Sequence, residues 1–239
     1  AMGSGTDIAR ETAKMIVLDD NFKSIVNGVL EGRVAYANVR KIIYFLISCG
    51  ISEVLCFCLA TAFDMAIPLV AIQILWLNVV TDGIQDLALS FERAEKDIMK
   101  EPPRNPKESL FDKVLLEQTI VSGTVIGLLL FALWYYLVNI IKMDEPVARG
   151  YVMTLMVFIQ NIHVFNCRSE KNSAFSVPLK NNAFVVWGVI GSIALHFIVM
   201  EVDIFSKLLQ TVSIPLTHIL GLFALAMVIL VVVEVYKKI

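Results

Sequence analysis

Apolar residues run along this chain in six long blocks, at about 40–63, 69–90, 114–141, 149–167, 183–201 and 216–236. Each is long enough, or nearly so, to cross about 30 Å of hydrocarbon as a helix. Ahead of the first block, Ile25, Val26, Val29 and Leu30 keep a helical period from Phe22 onward, and no proline interrupts the chain before Pro68. One helix from 22 to 63, about 60 Å long, is therefore expected to run from a soluble region into the membrane. Residues 237–239 make a short polar tail.

The connectors decide orientation. Of the 20 Lys and Arg residues, all but Lys142, Arg149 and Lys207 fall before block one, between two and three, between four and five, or after six. By the positive-inside rule both termini are expected in the cytoplasm, with six spans. The segment from Glu92 to Lys113 carries three prolines and many charges, and reads as a solvated cytoplasmic connector. The opening "AMGSGTDIARETAKMIVLDDNF" is soluble in composition but too short to fold alone, and reads as the tail of a cytoplasmic domain.

The second block breaks the apolar pattern. "WLNVVTDGIQDLALSF", Trp76 to Phe91, holds Asn78, Thr81, Asp82, Gln85 and Asp86. An Asp at a helix centre costs about 2.5–3.5 kcal/mol on insertion scales, so something must offset it. On an α-helix Asn78, Asp82 and Asp86 share one face, with Thr81 and Gln85 beside it. Block one adds Glu53 among Ser48, Gly50 and Ser52, and block four adds Gln160, Asn161 and His163. Intramembrane acids mark ion or proton pathways, and carboxylate, amide and hydroxyl oxygens together suit a hard cation. Gly83 is expected to weaken the helix beside Asp82 and free carbonyls as further ligands. Asn161, Asn166 and Ser48 read more simply as hydrogen-bonding groups between helices, and His163, His196 and His218 as packing residues.

Composition agrees with a polytopic membrane protein: 57% apolar and 18% charged residues, with a mean hydropathy of +0.74. Cys49, Cys56, Cys58 and Cys167 lie in or at the edge of apolar blocks, without the spacing of a zinc site or a disulfide framework. The polar, mixed-charge first 40 residues argue against a cleavable signal peptide.

Together, "AMGSGTDIARETAKMIVLDDNFKSIV", "LISCGISEVL" and "LWLNVVTDGIQDLAL…DIMKEPPR" resemble the C-terminal third of type II P-type cation-transporting ATPases, closest to the calcium-pump branch. The likeness covers essentially the whole chain and is most specific at residues 2–26 and 73–104. It implies an all-α polytopic membrane protein whose six transmembrane helices, over 40–236, follow a long cytoplasmic stalk at 22–39. Residues 1–21 would be the remnant of an α/β phosphorylation domain. It also implies that Glu53, Asn78, Thr81 and Asp82 are cation ligands, with Gln160 at a position that is acidic in some relatives, and Asp86 as an added acid. Gly50 stands where calcium pumps of the sarcoplasmic-reticulum type carry an amide. With Gln160 in place of a carboxylate, one site is expected rather than two.

The transported ion expected is Ca²⁺, with Na⁺, K⁺, H⁺ or Mn²⁺ as alternatives. ATP and Mg²⁺ would act only through cytoplasmic domains, because the family's DKTGT, TGES and GDGVND motifs do not occur in this sequence. The chain alone is therefore not expected to hydrolyse ATP, and reads as a fragment or truncated frame of such a pump. Its expected partners are the lipid bilayer and the N-terminal part of the pump, with no nucleic acid. Its location is an integral membrane protein of the plasma membrane if the source is prokaryotic. A non-enzymatic six-helix channel or transporter, or a regulatory fragment, are the rival readings.

Overall fold

The computed structural model describes residues 1–95, 98–100, 102–103 and 109–238. Lys96, Arg104 and Lys107, counted above for orientation, and Ile239 of the tail lie outside the described residues. Within them the chain is helical, and its only strand-like feature is one isolated bridge between Met2 and Val17. A short helix α1 (Asp7–Thr12), capped by the Thr6 side chain, lies inside this N-terminal loop.

Helix α2 (Phe22–Ala62) is unbroken for 41 residues. The Asn21 side chain accepts from the Lys23 backbone N–H and starts it, and its last turn is followed by Phe63, outside the helical region. The chain then forms α3 (Ala71–Trp76), a π-helical turn (Leu77–Asp82) and α4 (Gly83–Ser90), which follow one another without a break. Helix α5 (Lys113–Tyr135) is capped by Asp112 and ends in a second π turn at Tyr136–Ile140. Helix α6 (Glu145–Cys167) starts with proline in its first turn. Helices α7 (Ala183–Glu201), α8 (Asp203–Leu209) and α9 (Leu216–Tyr236) complete the set.

Among the described residues, four helical stretches are long and apolar enough to cross a membrane: Phe22–Ala62, Lys113–Ile140, Ala183–Glu201 and Leu216–Tyr236. The other two blocks of the sequence, Ala71–Ser90 and α6, are helical but more polar. For α6 the reason is its position: nearly every residue from Ala148 to Cys167 is buried against α2, α5, α7 and α9. A helix enclosed by protein does not need an apolar surface for lipid, and can carry Thr154, Gln160, Asn161, His163 and Asn166 inward.

Two glycines set the closest helix pair. A Cβ on Gly123 of α5 would stand 2.7 Å from Ile51 Cγ2 and 2.9 Å from the Ser48 carbonyl oxygen. One on Gly127 would stand 2.9 Å from both Leu55 Cδ2 and the Ser52 carbonyl oxygen. Small residues four apart let helix backbones approach closely where hydrocarbon supplies no hydrophobic drive to associate. Across the bundle, the Lys237 ammonium just past α9 donates to the carbonyl oxygens of Asn166 (2.7 Å), in the last turn of α6, and of Ser169 (2.6 Å) and Asn172 (3.2 Å) beyond it.

Gly123→Ala is expected to force α5 off α2 and to cost about 1–3 kcal/mol as overpacking. Thermal unfolding in detergent checks it, and an unchanged Tm would mean that the two helices can part without penalty.

Candidate functional site

The polar residues of Trp76–Phe91 straddle a π turn, Leu77–Asp82, and the α-helix that follows it. In the π turn the backbone bonding lengthens from four residues to five, and the Gly83 N–H donates to the Asn78 carbonyl. Gly83 itself keeps ordinary helical angles, φ −59° and ψ −39°. The helix is therefore widened before Asp82 rather than broken at Gly83, and the Asn78 carbonyl is already used. Thr81, Asp82 and Gln85 are buried and Asp86 is half-buried, whereas Asn78 is exposed.

Glu53 is half-buried on α2. Helix α2 packs against α4, and α6 packs against α2 and the π turn. Gln160, with no exposed surface, lies on α6 next to Asn161, whose side-chain oxygen accepts from Gln85 Nε2 at 2.8 Å. Gln160 is thus level with the turn that holds Asp82 and Asp86.

Polar atoms without partners concentrate here. Glu53 Oε1, Thr81 Oγ1, Asp82 Oδ1, Gln85 Oε1, Asp86 Oδ1 and both side-chain polar atoms of Gln160 are buried and make no hydrogen bond. A buried group left unpaired costs about 1–3 kcal/mol, so this concentration calls for an occupant. Among the described residues no three His, Cys, Asp or Glu side chains are grouped so as to hold a metal by themselves. The amide and hydroxyl oxygens of Thr81, Gln85 and Gln160 would have to contribute, which suits a hard cation and not a soft one.

Several neighbouring polar residues pair across helices. Asn161 also accepts from Ser192 of α7 and donates to the Val157 carbonyl at 2.8 Å, tying α4, α6 and α7 together. Ser48 meets His163 Nε2 at 2.9 Å, and Tyr44 OH meets Ser122 Oγ at 2.7 Å. His163 lies edge-on to the Tyr44 ring and stacks on Phe45. His196 bonds Thr154 and His218 bonds Tyr151. These are the inter-helix and packing roles expected from the sequence.

What sequence reasoning missed is a polar junction at the end of α4. Glu92 and Arg168, 76 positions apart, form an ion pair whose side chains are 2% and 1% exposed. Asn182 and Asn38 converge on the same place. Arg168 reads in sequence as one more connector cation, and only its neighbour in space reveals it.

Fold and site together define a helical membrane protein with an under-satisfied oxygen-rich site inside the bundle. Residues 66–239 match the family described as "Cation transporting ATPase, C-terminus", and the chain belongs to that family. It is 36% identical over 218 residues to the "Calcium-transporting ATPase" of Bacillus subtilis (strain 168), covering 88% of this chain and 24% of that protein. It is 34% identical over 241 residues to the human "Calcium-transporting ATPase type 2C member 1", covering 100% and 26%. With the "Probable calcium-transporting ATPase" of Trypanosoma brucei brucei it shares 31% over 237 residues, covering 90% and 23%. The chain thus spans about a quarter of the length of the curated relatives it matches.

Asn161→Leu is expected to leave the Gln85 amide and the Ser192 hydroxyl without their shared acceptor. The cost should be about 0.6–2 kcal/mol, with Ser192→Ala at the low end. Unfolding of the two variants side by side checks the order, and equal costs would show that Gln85 finds another acceptor.

Proposed function

We propose that this chain forms the cation-binding and translocating membrane domain of an ATP-driven calcium pump. In this reading it crosses the bilayer six times, with both termini in the cytoplasm, and residues 1–21 belong to the end of a phosphorylation domain. Ca²⁺ is the transported substrate, held by Glu53, Thr81, Asp82, Asp86 and Gln160. Asn78, on the exposed face one π turn earlier, contributes from the side where further parts of the pump would close the site. ATP and Mg²⁺ act on cytoplasmic domains outside this chain.

The observation that carries the reading is the set of buried, partnerless oxygens on Glu53, Thr81, Asp82, Asp86 and Gln160. It is supported by the family of the chain and by relatives whose names state calcium transport. Alternating access follows from the shape of α2, which carries both the stalk and Glu53. From Phe22 to Glu53 it is a rigid lever of about 46 Å at 1.5 Å per residue. A push on its cytoplasmic end, driven by phosphorylation elsewhere in the pump, shifts Glu53 against Asp82 on the neighbouring helix. Ligand distances to a bound ion then change, and affinity with them, so the same oxygens bind tightly on one side and release on the other.

Asp82→Asn in the complete pump is expected to abolish cation-dependent phosphorylation from ATP. Phosphoenzyme formed at the normal level would remove Asp82 from the site. With Gly50 and Gln160 offering no second carboxylate, equilibrium binding of radioactive Ca²⁺ is expected to give about one ion per phosphorylation site, the count that follows from a single set of hard oxygen ligands. A clean value of two would show that Asp86 builds a second site.

A further inference from the structure

Three helix ends meet at one buried point on the stalk side of the bundle. Glu92 lies two residues past α4, Arg168 is the C-cap of α6, and Asn182 is the N-cap of α7. Arg168 Nε and Nη2 donate to the two oxygens of Glu92 at 3.0 and 2.8 Å, a forked pair. Its remaining donors reach the carbonyls of Val177 (3.1 Å) and Pro178 (3.0 Å). Asn182 Nδ2 donates to Glu92 Oε2 at 3.0 Å and to the Ala88 carbonyl at 2.8 Å. From the stalk, Asn38 Nδ2 donates to the carbonyls of Ser90 (3.1 Å) and Glu92 (2.8 Å). Lys41 extends the junction to Glu95 at 3.3 Å.

We propose that the Glu92–Arg168 pair is a positioning device that fixes the depth and rotation at which α4 presents Asp82 and Asp86 to Glu53. It rests on the cation-site reading above, in which neither Glu92 nor Arg168 has a ligand role. Glu92 is six residues beyond Asp86, about 9 Å away at helical rise. The charges are matched to their surroundings: the carbonyl ends of α4 and α6 favour the guanidinium, and the N-terminus of α7 favours the carboxylate. Even so, a buried ion pair adds little net stability compared with apolar residues of the same volume. What it does supply is geometry. A forked guanidinium–carboxylate pair has one register, so the end of α4 cannot slide or turn against α6 without stranding both charges.

The test separates geometry from bulk. Losing one partner strands a charge, so the informative variants are the double replacement E92L/R168M, which keeps the volume apolar, and R168K, which keeps the charge without the fork. Both are made in the complete pump, and Tm and equilibrium binding of radioactive Ca²⁺ are measured. The double variant should melt like wild type yet bind Ca²⁺ about 10–100-fold more weakly, the range found when groups that orient metal ligands are removed. R168K should fall between the two. A double variant with wild-type affinity overturns the proposal. If the double variant does not fold, R168K decides, since unchanged affinity there overturns it equally. If wild-type pump binds no Ca²⁺, the cation reading fails by itself, and the junction is judged by amide exchange of residues 83–92. Faster exchange in R168K with α5 unaffected supports the positioning role, and no change refutes it.

Discussion

Inside a bilayer no water waits to pair with a stray polar atom, and every departure from an apolar sequence must be settled by the protein itself. That constraint sorts this bundle into two kinds of polar residue. Tyr44, Ser48, Asn161, His163 and Ser192 find one another and hold helices at fixed separations. Glu53, Thr81, Asp82, Asp86 and Gln160 keep at least one atom with no protein partner. The first kind gives rigidity, and the second gives a place for something to bind. They are interleaved: Gln85 donates to Asn161 with one end and leaves its oxygen unpaired at the other.

The closest helix packing lies beside Glu53. Gly123 and Gly127 seat α5 directly on the backbone of α2 at Ser48 and Ser52, next to Glu53. The segment that carries Asp82 is attached to α6 and α7 through Asn161, Asn182 and Arg168. The stalk end of α2 is tied to the same assembly, through Asn38 to the end of α4 and through Ser48 to His163 of α6.

Much of this was legible in the sequence. Apolar blocks announce the helices, the absence of proline before Pro68 announces the long α2, and acids in an apolar block announce the site. The row Asn78–Asp82–Asp86 was expected on an α-helix, and a π turn at Leu77–Asp82 stands between its first two members. Whether a turn widens to π is decided by packing around Leu77–Asp82, and no residue type there signals it. Glycine at position 83 was expected to weaken the helix, but its backbone angles are ordinary. The Glu92–Arg168 pair was invisible for a different cause. Each residue alone looks like a solvated connector charge, and a partner 76 positions away leaves no local pattern.

The cradle around Lys237 has a bearing on how the protein is made. Carbonyls of Asn166, Ser169 and Asn172 are satisfied by an ammonium on a segment synthesised some 65 residues later. Until α9 has entered the membrane and docked, the exit of α6 carries three oxygens that only water or lipid headgroups can serve. The polar face of α6, with Gln160 and Asn161, is thus fastened in place late, as a closing step of assembly. A chain stalled before Lys237 would present to the cell's quality control a bundle complete in its helices but still unlatched at its centre.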